Sequence, residues 1–162
     1  MASDRRRLLD KLVRELLRAE AHAQEHPTHE ARRLGDSPPV VALRAVADHA
    51  ACLRPRLLHA LDAHGLATRN TMVTTLTTLR HLVVDRMVDA ERAFRGALLD
   101  LRHALDVVRV LRETSRLEGI FALIRWCDDW LPARRTLVAR VEAQLAWFAD
   151  QPTVEDPSSP AS

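Results

Sequence analysis

From Thr71 to Glu113 the chain contains no proline and a single glycine, Gly96. Along that stretch Leu79, Val83, Met87, Ala90, Phe94, Ala97, Leu101, Leu105 and Val108 follow one another at steps of three and four residues. That spacing lines one face of an α-helix, and no strand pattern reproduces it. Unbroken, the helix is about 64 Å long at 1.5 Å per residue. The fold therefore has to cover a long helical stripe, by bending or breaking it near Gly96 or by laying other helices or a second subunit along it.

Three further stripes are available as cover. Ser3 or Asp4 can cap a first helix carrying Leu9, Leu12, Val13, Leu16, Ala19 and Ala23. Pro27 is expected to stop it near Glu25, leaving 27–37 as a loop. Asp36-Ser37-Pro38-Pro39 reads as a second helix start, because proline in the first turn forfeits no hydrogen bond. Val46, Ala50, Leu53, Leu57 and Leu61 form its apolar stripe, and Pro55 predicts a kink near Ala51–Arg54. His64-Gly65-Leu66 has the form of a C-terminal cap with its apolar contact. Ser115 and Glu118 have the spacing of a capping box for a fourth helix. That helix carries Ile120, Ile124, Cys127, Leu131, Val138, Val141, Leu145 and Phe148, with Pro132 set to kink or divide it.

Composition agrees. Four glycines, no tyrosine and 4% aromatic residues argue against a sheet, while 47% hydrophobic residues suffice for a core. The expected fold is all-α: an up-down four-helix bundle over residues 1–150, or five helices if the third or fourth segment breaks. Residues 151–162 read as a disordered tail of Pro, Ser, Thr and acids.

Charge and motif content exclude several functions. Twenty-four Lys and Arg stand against 22 Asp and Glu, a formal net charge of +2. Arg5-Arg6-Arg7 and Arg32-Arg33 have Asp4, Asp10, Glu15 and Glu30 nearby, so no positive field of the kind nucleic acid requires is expected. Phosphate-binding loops, nucleophile elbows and paired-cysteine motifs are absent from the sequence, and an enzyme is the less favoured reading. Cys52 and Cys127 read as reduced residues, and Leu8-Leu9-Asp10-Lys11-Leu12 is amphipathic rather than a signal core. With no apolar run approaching 18 residues, no membrane span is expected, and a cytoplasmic location is.

Two functional readings follow. In the first, Val84, Val88, Leu99, Val107 and Val110 share the arc opposite the third stripe and form an interface for self-association, as a homodimer, or for another helical protein. No cofactor is required. The alternative is a ferritin-like bundle binding iron, manganese or zinc. Glu15, His22, His26 and His49, at the borders of their stripes, would supply carboxylate and imidazole to the divalent ion. The Glu-x-x-His pairs typical of such bundles do not occur, and Asp100-Leu-Arg-His103 is the nearest approach. His81, Asp85, Asp89 and Arg92 read as a solvated charge face, and Trp126, Trp130 and Trp147 as packing residues. Asp128, close to the apolar face, would need an arginine partner if buried.

Overall fold

The computed structural model describes residues 2–66 and 90–151. They form an all-α four-helix bundle: α1 (Ala2–Leu34), α2 (Pro38–Asp62), α3 (Ala90–Leu117) and α4 (Phe121–Ala143), followed by the single-turn helix α5 (Leu145–Asp150). Among the described residues, no helix is long and apolar enough to cross a membrane.

The first helix outruns the expectation. Pro27 does not stop α1, which continues to Leu34. Ala23, Pro27, Glu30 and Leu34 are all buried, at steps of four, three and four residues. The buried stripe continues, but a proline and a glutamate occupy two of its positions, which hid it in the sequence. Pro55 likewise lies inside an uninterrupted α2, on its exposed side, where the ring meets water rather than a neighbouring helix. Gly96 is exposed within a continuous α3, and Pro132 within a continuous α4, whose end comes at Gln144.

The caps explain the turns. Ser37 sits at the N-cap of α2 without a side-chain cap bond, ahead of Pro38 in the first turn. Gly65 has φ +64°, and the Leu66 amide donates to the Leu61 carbonyl at 2.9 Å while its side chain is buried, as the His64-Gly65-Leu66 pattern predicted. The expected box at Ser115 does not form. Ser115 is buried inside α3, which runs on to Leu117 and closes at Gly119 (φ +70°), where the Ile120 amide reaches back to the Ser115 carbonyl at 2.9 Å. The same glycine-cap chemistry thus ends α2 and α3.

α1 packs on α2 and α3, and α4 packs on the same two, so α1/α4 and α2/α3 lie across the diagonals. One end of the interior gathers Leu9, Leu12 and Leu16 of α1, Leu57 and Leu61 of α2, Val108 and Leu111 of α3, and Leu123, Trp126 and Trp130 of α4. The other gathers Ala23, then Ala42, Leu43, Val46 and Ala50, then Phe94, Ala97, Leu98 and Leu101, and finally Val138 and Val141. Hence α1 is antiparallel to α2, and α3 to α4, the latter pair as expected of its short connection. α2 and α3, expected to be antiparallel in an up-down order, instead run the same way on a diagonal, and the residues between them, 67–89, lie outside the described residues. The expected tail lies outside them too, apart from Gln151.

Candidate functional site

The interior is not uniformly apolar. Between its two ends Arg134 of α4 is fully buried, and its Nη2 donates to both oxygens of Glu20 on α1, at 2.9 and 3.0 Å. Its Nε donates to Nδ1 of His49 on α2 at 3.2 Å, so that imidazole nitrogen carries a lone pair. The guanidinium carbon lies 4.6 Å from the centroid of the Trp130 ring, within cation–π range. Burial pushes the Glu20 carboxyl up and the arginine down, and each partner opposes the shift of the other. Burial first, and the Arg134 cation second, hold His49 down to about 4. The charges are thus mutually compensated, and this layer is the structural opposite of an open catalytic cavity.

Sequence reasoning passed over Glu20 and Arg134. The signal was present: Glu20 is four residues after Leu16, and Arg134 four after Trp130, so both occupy core positions of their helices.

The four residues of the metal reading do not come together. Glu15 pairs with Lys11 at 3.7 Å, and His49 faces Arg134. His22 and His26 stand edge to face, 6.3 Å between ring centroids, in a cleft of about 270 Å³ between α1 and α3. There His26 Nε2 is 3.6 Å from an Asp100 carboxylate oxygen. The reasons are a facing and a distance. His49 points inward from its own helix, and Glu15 and His26 are separated by three turns, about 16 Å. Among the described residues, no group of three or more His, Cys, Asp or Glu side chains is arranged to hold a metal ion. Neither cysteine makes a disulfide, and burial, with Asp128 behind it, pushes the Cys127 thiol up to about 12, where it is no nucleophile. Asp128 itself is exposed and does have its arginine, Arg112, at 2.5 Å.

The outer face of α3 divides the interface prediction. Val84 and Val88 lie outside the described residues, as do His81, Asp85 and Asp89. Val107 is a correction: it is 4% exposed and part of the core. It is three residues after Ala104 and four before Leu111, both buried, and 80° around the helix from Leu99 at 100° per residue. Leu99 (65% exposed) and Val110 (47%) do face outward. Leu117 joins them, 18 residues beyond Leu99 and back at the same angle, and Phe121 follows across the turn at 73% exposure. Leu117 and Phe121 are hidden in the sequence because the Ser115–Glu118 pattern puts both at the start of a fourth helix.

No family model, curated protein or solved structure matches the chain. What defines it is the architecture described above: a four-helix bundle with a closed, charge-compensated centre and an apolar line along one outer face.

Proposed function

We propose that this protein is a non-enzymatic helical association module, working in the cytoplasm, and that its partner is a second copy of itself. The observation that carries the reading is the line Leu99, Val110, Leu117 on α3, within about 20° of one direction and about 27 Å long, ending beside Phe121. Exposed apolar side chains scattered singly mean little, whereas a line at helical period offers a partner helix a row of contacts. Asp106 stands on the line itself, about 20° from Leu99 and between it and Val110, and pairs with Arg109 at 2.7 Å, while Glu113 on the flank pairs with Arg116 at 3.2 Å. A surface of mixed sign and one apolar ridge suits a copy of itself better than a strongly charged polymer. The two free cysteines accord with a reducing compartment.

Sedimentation velocity of the wild type and of Leu99→Asp/Leu117→Asp, from low to high micromolar, tests it. The expected result is a concentration-dependent dimer that the double substitution reduces to monomer. A wild-type monomer throughout, or an unaltered dimer in the variant, contradicts the reading.

A further inference from the structure

The layer formed by Glu20, His49 and Arg134 joins three helices, and each of its links depends on a protonation state. From α4 the Arg134 Nε faces the His49 Nδ1 at 3.2 Å, and the Trp130 ring lies 6.4 Å away, centroid to centroid. From α1 the Glu20 carboxylate is already committed through both oxygens to Arg134. On α2 itself Asp48 is exposed, and Arg54 is close enough to act on Glu20. α3, diagonal to α2, brings Leu101, Ala104 and Leu105 to the interior on either side of the layer.

A proton on His49 Nδ1 removes the acceptor that Arg134 Nε uses. It also sets an imidazolium against a guanidinium at hydrogen-bond distance, where the Glu20 carboxylate is already taken up by Arg134. We infer that the layer is an acid-released latch: protonation of His49 expels its imidazole from Arg134 and frees α2 from α1 and α4 at mid-height.

The direction of the effect follows from linkage. In the closed bundle His49 is held to about 4, against an ordinary 6.5. The closed state therefore binds this proton less readily than the opened one. The stability His49 confers is complete above about pH 6.5 and is lost as the pH falls toward 4. Glu20, shifted upward, acts in the opposite sense as it takes up its proton, so a substitution at His49 is needed to separate the two.

The test is His49→Gln, whose side-chain carbonyl can accept from Arg134 Nε at every pH. Urea midpoints are followed by tryptophan fluorescence from pH 7.5 to 4.5, alongside the ring-proton NMR titration of His49 in the wild type. The expected result is a wild-type midpoint that falls between pH 6.5 and 4.5, a clearly smaller fall in His49→Gln, and a His49 titration centred near 4. Equal pH dependence in the two proteins, or a His49 midpoint at 6.5 or above, overturns the latch. If His49→Gln does not fold, the wild-type titration alone decides by the same criterion.

Discussion

The two ends of the interior are built from different side chains. One packs leucines from all four helices around Trp126 and Trp130, whose rings stack with centroids 5.9 Å apart, and among the described residues Ala104 is its only buried alanine. The other contains Ala23, Ala42, Ala50 and Ala97 among valines and a few leucines, with Phe94 as a fully buried aromatic ring. Apolar burial stabilises roughly in proportion to area, so among the described residues the leucine and tryptophan end holds most of the hydrophobic free energy. Alanines instead let helices approach closely while contributing little each. The charged layer lies where the two ends meet. Among the described residues the bundle is therefore assembled from a strong half, a weak half and a polar joint between them.

Breaking the joint should have the largest effect. Arg134→Ala leaves Glu20 buried and unpaired and is expected to cost about 3–5 kcal/mol in urea unfolding. The double substitution Glu20→Leu/Arg134→Met removes both charges, and it should recover most of that loss or exceed the wild type. A double variant as unstable as the single one would show that the layer holds the bundle together by more than charge compensation.

The comparison between the halves is sharpened by truncating one side chain in each. Leu123→Ala, in the strong half, should cost about 3 kcal/mol, within the usual range for a fully buried leucine. Val46→Ala, in the weak half, should cost about 1.6 kcal/mol, at about 0.8 for each carbon removed. Because leucine loses three carbons on truncation and valine two, equal losses per carbon removed on matched denaturation curves would mean that the alanine-rich end is as tightly packed as the other. The smallest effect belongs to the outside. Leu99→Asp should change monomer stability by no more than about 0.5 kcal/mol, while weakening the self-association followed by sedimentation.

Much of this architecture was legible as periodicity. Phe94, Ala97, Leu101 and Val108 are buried as their spacing required, and the cap at Gly65 and Leu66 formed as read. The failures share one cause. Pro27, Glu30, Glu20 and Arg134 are buried residues whose types suggest loop or surface, and each stands at a core position by spacing. Residue type outweighed register in reading them, whereas packing followed register. Val107 is the converse, a valine placed outside by the arc assigned to it and inside by its neighbours Ala104 and Leu111. The exposed apolar positions of α3 were half legible for the same reason. Leu99 and Val110 were found, and Leu117 was not, because α3 extends past Ser115. The pairing of His49 with Arg134 links residues 85 apart and leaves no trace in local sequence.

Native-state amide hydrogen exchange, residue by residue, tests the unequal-halves account most directly. The account predicts that the amides of α2 around Leu43 and Val46 and of α4 around Val138 and Val141 open at lower free energy than those around Leu57 and Leu123, with the step falling at the level of His49 and Arg134. Uniform protection along both helices, or slower exchange at the alanine-rich end, would contradict it.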